Sequence, residues 1–271
     1  MKKIIIYSLI ALMALFTACK KEPIKPIVTV PPDPYKHSRL VEASSDDGTL
    51  YKYSYNTANQ LSKVEYFKKP GVVYSTQTYS YLNGKLVQMV SESANSMKYV
   101  TDYKYQGNTD LIESTTFTAT NYQNTAQPVV TSKFNQEYNY LNGNVIKSVL
   151  KDDQNTVFSI RTFNYSLNGT NPVVTTDNVP QAVNGAPATP AYSGSNEYYN
   201  NVLDPTSYFL NYSISESKFL LKNATSSQNK NSFIQTYDLD DMGRIKTVLA
   251  ATLNNSITQS VVKTTYTYES Y

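Results

Sequence analysis

The 271-residue chain contains no tryptophan, one cysteine and one histidine. A single cysteine rules out an internal disulfide, so the fold is expected to hold by packing alone. It also removes the clustered Cys and His ligands of a zinc site. With His37 as the sole imidazole, nucleophilic catalysis lacks its usual base. Charge is equally sparse. The formal net charge is +3, and about +1 without Lys2 and Lys3, no basis for nucleic-acid binding. The paired acids Asp46-Asp47, Asp152-Asp153 and Asp240-Asp241 all fall where turns are expected. Asp238, Asp240, Asp241 and Gly243 have some of the spacing of a calcium loop, but Met242 stands where a ligand is required. No metal and no cofactor is expected. After residue 16 there is neither a long apolar run nor a 3.6-residue apolar period, so no long helix is expected.

What the chain has is concentrated first at its amino terminus. Lys2 and Lys3 precede an almost wholly apolar Ile4 to Phe16, then the small residues Thr17 and Ala18 and the lone Cys19. This is the pattern of a secretory signal, and it is too short for a membrane span of about 20 residues. Phe16-Thr17-Ala18-Cys19 resembles the lipobox of bacterial lipoproteins, with Phe16 where Leu is usual. The resemblance implies that residues 1–18 form a signal peptide and that Cys19 carries the lipid. Several acyl chains anchor a protein durably where one does not. Residues 20–36 hold Pro23, Pro26, Pro31, Pro32 and Pro34. They read as a semi-extended spacer reaching on the order of 40–50 Å.

The rest is rich in tyrosine, with 25 Tyr and 9 Phe, and in Thr, Val and Ser, a composition that favours strands. An aromatic–polar–aromatic triplet followed by a turn recurs at intervals of roughly 25 residues. Its copies are Tyr53-Ser54-Tyr55, Tyr79-Ser80-Tyr81, Tyr103-Lys104-Tyr105, Tyr138-Asn139-Tyr140, Phe163-Asn164-Tyr165 and Tyr266-Thr267-Tyr268, with Tyr237-Asp238-Leu239 a variant in which Leu replaces the second aromatic. Residues two apart in a strand share a face, so each aromatic couple points one way. The following Asn-Gly, as in Asn83-Gly84 and Asn142-Gly143, suits a tight hairpin turn. The expected fold is all-β, an antiparallel hairpin meander of roughly 12–14 strands over residues 37–271. A sheet of that size curls or closes into a barrel-like form.

One interval, about 170–236, breaks the pattern. Residues 177–197 contain Pro180, Pro187, Pro190, Gly185 and Gly194 and read as a loop. Tyr198, Tyr199, Tyr208, Phe209 and Tyr212 follow. The stretch 177–222 is therefore expected to be an aromatic insertion and a candidate ligand-binding surface.

The units Tyr-x-Tyr-x(3)-Asn-Gly-x-Leu, and above all Tyr237 to Ile245 with its Tyr-Asp and Gly-Arg, resemble degenerate tyrosine-aspartate repeats of the Rhs type. Residues from about 38 to 271 resemble more closely a group of uncharacterised bacterial lipoproteins with a porin-like β-barrel domain. That resemblance implies a fold and no activity. The self-cleaving core and toxin module of Rhs proteins have no counterpart, so no toxin cage is implied.

These readings lead to a lipid-anchored cell-envelope protein, in the outer membrane of a Gram-negative bacterium and facing either the periplasm or the surface. It is expected to bind or scaffold without catalysis, with a glycan or another envelope protein as partner and no nucleic acid. A membrane-spanning pore is disfavoured, because the strand faces opposite the aromatics carry Ser, Lys, Asn, Gln and Thr rather than an apolar band. The alternative is a glycan-active enzyme using carboxylates near the aromatic insertion.

Overall fold

A computed structural model of the chain describes residues 33–69, 71–94, 96–123, 127–165, 172–178, 193–204, 219–226, 231–255 and 257–271. Residues 1–32, which hold the expected signal peptide, Cys19 and most of the expected spacer, lie outside them. Residues Pro34–Tyr271 form one compact unit.

The unit is built from sixteen described strands: β1 (Ser38–Ser45), β2 (Leu50–Tyr55), β3 (Leu61–Lys69), β4 (Val72–Leu82), β5 (Lys85–Ser93), β6 (Met97–Tyr105), β7 (Ile112–Asn121), β8 (Val129–Leu141), β9 (Asn144–Asp152), β10 (Val157–Tyr165), β11 (Pro172–Asn178), β12 (Ser193–Leu203), β13 (Phe219–Ser226), β14 (Asn231–Leu239), β15 (Ile245–Asn254) and β16 (Ile257–Ser270). Each pairs antiparallel with its sequence neighbours, and β1 pairs with β16, so the meander closes into a barrel. Closure leaves no free sheet edge. The count exceeds the 12–14 expected because strands occupy part of the interval that composition reads as loop. Ser193 to Glu197 belong to β12, paired on both sides with β11 and β13. Cross-strand pairing overrides the weak strand propensity of Gly194, Ser195 and Asn196.

Every described aromatic triplet ends an even-numbered strand, so the triplets gather at one end of the barrel. The hairpin turns there use the positive φ that Asn and Gly tolerate, as at Asn83 (52°) and Gly84 (79°), and Asn142 (51°) and Gly143 (80°). Tyr79 is buried and Tyr81 packs on the same cluster, so the couple does share a face. That cluster draws Leu40, Ala43, Tyr53, Leu61, Val64, Tyr79 and Leu86 together with Tyr55, Tyr81, Met89, Tyr103, Tyr266 and Tyr268. Side chains from β1–β6 and β16 converge there, which only the concave side of a closed sheet allows. The aromatic face is the lumen.

A second regularity appears in the register. Just inside each of five turns the odd-numbered strand carries one extra residue, a β-bulge, at Ser62, Val87, Glu113, Ile146 and Lys246. In four of these five hairpins the bulge sets a tyrosine opposite an aliphatic residue: Tyr55 faces Leu61, Tyr81 faces Leu86, Tyr105 faces Ile112 and Tyr140 faces Val145. Each of these tyrosines then reaches back one hairpin. Tyr55 donates its hydroxyl to the carbonyl of Leu40 (2.8 Å), Tyr81 to Leu61 (2.8 Å), Tyr105 to Leu86 (2.9 Å) and Tyr140 to Ile112 (2.9 Å). Tyr268 donates to Ile245 (2.7 Å), and Tyr268 itself faces Leu40. The result is a tyrosine collar in which each ring covers an aliphatic side chain while its hydroxyl satisfies a bulged strand's carbonyl. Bulges leave backbone groups outside the ladder, and buried carbonyls need partners. Tyrosine supplies both ring and donor, where phenylalanine would supply only the ring.

The N-terminal end of the barrel unit closes the same end. Tyr35 is 1% exposed. Its hydroxyl donates to the Leu203 carbonyl and accepts the Ile245 N–H, and its ring lies 5.6 Å from that of Tyr268. The final turn holds this segment. Asp240 Oδ1 accepts the N–H groups of Met242 and Arg244, and Oδ2 accepts Arg244 Nε at 2.7 Å. Arg244 in turn donates to Ser38 Oγ and covers the Tyr268 ring, with 4.6 Å to its centroid. Burial pushes the Asp240 carboxyl upward, but the hydrogen bonds from Arg244 and Met242 outweigh it and hold the group below the usual carboxylate range. Its stabilising contribution is therefore complete above that range and is lost as the pH falls through its native value. Asp240→Asn is expected to lower stability by about 1 kcal/mol at neutral pH, with a smaller difference from wild type at acid pH, below the usual carboxylate range. Urea midpoints at the two pH values measure this.

Candidate functional site

Away from the collar the lumen is still aromatic, but its side chains stay partly exposed. Counting by twos along β6 from Tyr103 reaches Tyr99, and along β8 from Tyr138 reaches Phe134. Phe117 joins them from β7, on the face of Thr115, whose hydroxyl meets that of Tyr138. Phe158 is the extra residue of a bulge between Val157 and Ser159, which turns it inward. The rings form a stripe across the wall: Tyr99 stacks on Phe117 at 5.7 Å, Phe117 lies 6.4 Å from Phe134, and Phe134 meets Phe158 edge-on at 5.7 Å. All four are of intermediate exposure. A second group stands on β2–β4. Tyr51 stacks on Tyr66 at 4.9 Å, Tyr66 meets Tyr74 edge-on, and Lys68 Nζ sits 3.7 Å from the Tyr74 centroid.

The site thus offers flat π-faces, phenol hydroxyls and a cation. Arg161, on the lumen face two residues from Phe163, adds a second. Such a surface suits a ligand with both apolar faces and hydroxyl groups. It offers little for acid–base chemistry. Asp46, Asp47 and Asp152 accept backbone N–H groups within or beside their own turns. Glu197, within the aromatic insertion, is held below the usual carboxylate range by its hydrogen bond to Lys222. Among the described residues no group of His, Cys, Asp or Glu is arranged to hold a metal ion.

The residues singled out in the sequence fall differently. Tyr199 points inward, donating to the Gln235 carbonyl at 2.8 Å and meeting the Tyr237 ring edge-on at 5.0 Å. It belongs to a small core around Leu220, Ile245 and Val248. Tyr198 is half-buried, in register with Leu221. Tyr208, Phe209 and Tyr212 lie outside the described residues, as does Cys19. Sequence reasoning missed the lumen stripe, although the period-2 rule that pairs Tyr103 with Tyr105 extends to Tyr99. The stripe crosses five strands, and no single segment displays it.

The outer wall is charged on β3, β5, β6, β8 and β9, whereas on β14–β16 it exposes Ile234, Leu249 and Val261. Lys63 pairs with Glu65 at 2.6 Å, Lys98 with Glu92 at 3.2 Å and Lys151 with Glu137 at 2.6 Å, and Gln88 bonds Asp102 at 2.8 Å. These positions alternate with the lumen-facing residues.

Compared with solved structures, the barrel superimposes on a porin-like protein from Bacteroides uniformis with a TM-score of 0.52 and 15% identity, over 87% of this chain and 97% of that one. The fold is porin-like. A second porin-like protein, from Bacteroides vulgatus, aligns over 86% of this chain and 99% of its own with a TM-score of 0.42 and 12% identity. No protein-family model and no curated protein matches the sequence.

Proposed function

We propose that this porin-like barrel is a lipid-anchored envelope protein that binds a ligand in its lumen without transforming it. The observation that carries the reading is the stripe Tyr99–Phe117–Phe134–Phe158, half-exposed inside a barrel whose other end is packed by the collar and Tyr35. Barrel mouths lined with aromatics and a few polar groups are typical ligand sites. Rings and hydroxyls together favour a glycan over a purely apolar ligand. The lipobox-like Phe16 to Cys19 and the porin-like fold support an outer-membrane location, and the charged part of the wall supports a barrel that stands in water.

The test is a screen of soluble oligosaccharides followed by Phe117→Ala and Phe134→Ala. Affinity is expected to fall at least about tenfold for each ring removed from the centre of the contact, with an unchanged circular dichroism spectrum. Binding that survives both substitutions overturns the assignment, and release of shortened sugar would favour the enzymatic alternative. Cys19→Ser tests the anchor. Most of the protein is expected to leave the membrane fraction.

A further inference from the structure

Three hairpin turns at the collar end carry exposed apolar side chains. Leu82 on the β4–β5 turn is 63% exposed, Leu141 on the β8–β9 turn 60%, and Met242 on the β14–β15 turn 57%, with Leu239 beside it at 49%. Around the ring of sixteen strands these turns stand four, six and six strands apart. A compact partner would meet one of them, whereas a plane meets all three. Exposed Leu and Met at turn tips serve neither core nor turn geometry, since Asn and Gly make the turns.

The opposite end also has exposed apolar residues, among them Val72, Val129, Val130 and Ile257, so exposure alone does not choose between the ends. The chain does. Pro34 and Tyr35 are fixed at the collar end, where Tyr35 is hydrogen-bonded to Leu203 and Ile245. The residues leading from Cys19 therefore reach the barrel at the same end as the three tips. We infer that the collar end docks face-down on the lipid surface that carries the anchor, with Leu82, Leu141 and Met242 entering the headgroup boundary. The spacer's 40–50 Å reach is then an upper limit, and the docked barrel leaves it slack. Docking turns the lumen's other mouth away from the membrane. The inference rests on the anchored reading of Cys19 for its choice of end.

The absence of tryptophan makes the test background-free. The full chain carrying Leu141→Trp, or Val130→Trp at the far end, is reconstituted in vesicles of phosphatidylethanolamine and phosphatidylglycerol with brominated acyl chains. Docking predicts strong quenching and a blue shift for the residue-141 probe and neither for the residue-130 probe. Equal quenching of the two, or quenching of the residue-130 probe alone, overturns it. So does quenching that disappears on dilution together with a dimer seen by sedimentation, which would make the tips a contact between copies. Mass analysis of the amino terminus reports acylation separately. An unacylated chain whose residue-141 probe is still quenched retains the docking surface and refutes only the anchor. In the acylated chain, the double variant Leu82→Ser and Leu141→Ser is expected to reduce quenching of a tryptophan placed at Met242 about tenfold while leaving the protein in the membrane fraction.

Discussion

Raising the pH through about 10 is expected to unfold this barrel cooperatively, well before the backbone is chemically harmed. Burial pushes the hydroxyls of Tyr55 and Tyr268 far above the usual tyrosine range and Tyr140 up to about 12. Tyr35, Tyr105 and Tyr138 are raised by the same cause. In the unfolded chain these groups ionise near 10. Between that value and their native one the unfolded state holds fewer protons than the folded state, so stability falls as pH rises. Below the unfolded value the contribution is complete. Each fully protected tyrosine adds a slope of up to about 1.4 kcal/mol per pH unit, and the collar tyrosines act together because they share one end of one sheet. A few such groups exhaust a stability of about 5–15 kcal/mol within one or two pH units. With no tryptophan to mask it, tyrosinate absorbance near 295 nm follows the event directly. The collar tyrosines are expected to ionise in one step coincident with loss of the strand signal in circular dichroism. A smooth titration of the tyrosines, with the strand signal intact at pH 12, would show that the collar does not hold the barrel. Tyr268→Phe is expected to lower stability by about 1–3 kcal/mol at neutral pH, since it strands the Ile245 carbonyl, and to make the alkaline slope shallower.

The collar also marks where sequence reasoning stops. That Tyr79 and Tyr81 share a face follows from the two-residue repeat of any strand, and Asn83-Gly84 and Asn142-Gly143 state their turns chemically. Which face is concave does not follow, because curvature is a property of the closed sheet and not of any hairpin. The bulges at Ser62, Val87, Glu113, Ile146 and Lys246 share no residue type. A bulge is set by the pairing on both sides of it, so the hydroxyl-to-carbonyl bonds it creates are invisible in the sequence. The same holds for β12, whose Ser193, Gly194, Ser195 and Asn196 favour turns when alone and become strand only between two partners. For the candidate site, Tyr199 was legible as an aromatic, and its packing was not. Its ring serves the core beside Tyr237, while the half-exposed rings lie on strands whose sequence looked ordinary.

Tyr35→Ala is expected to cost more than any substitution in the collar, about 3–5 kcal/mol, although the residue sits in a proline-rich segment that reads as spacer. Its neighbours Pro34 and Lys36 conceal it, and its partners are remote. The Leu203 carbonyl lies 168 residues away and the Ile245 N–H 210. Removing the ring opens a cavity against Tyr268 and strands two backbone groups at once. Tyr35→Phe separates these effects. It keeps the ring, loses both hydrogen bonds and is expected to cost about 2–3 kcal/mol. Arg244 should couple to the same site, because its guanidinium bonds Ser38 and covers the Tyr268 ring that Tyr35 contacts. Tyr35→Ala and Arg244→Ala together are therefore expected to cost at least 0.5 kcal/mol less than the sum of their separate effects. Native-state hydrogen exchange gives the local readout. The Ile245 amide should lose most of its protection in Tyr35→Phe, while amides in the middle of β7 and β8, far from the cap, keep theirs in proportion to global stability. If the Ile245 amide is as protected in the variant as in the wild type, the segment is a strap lying on the barrel rather than the plug that closes it.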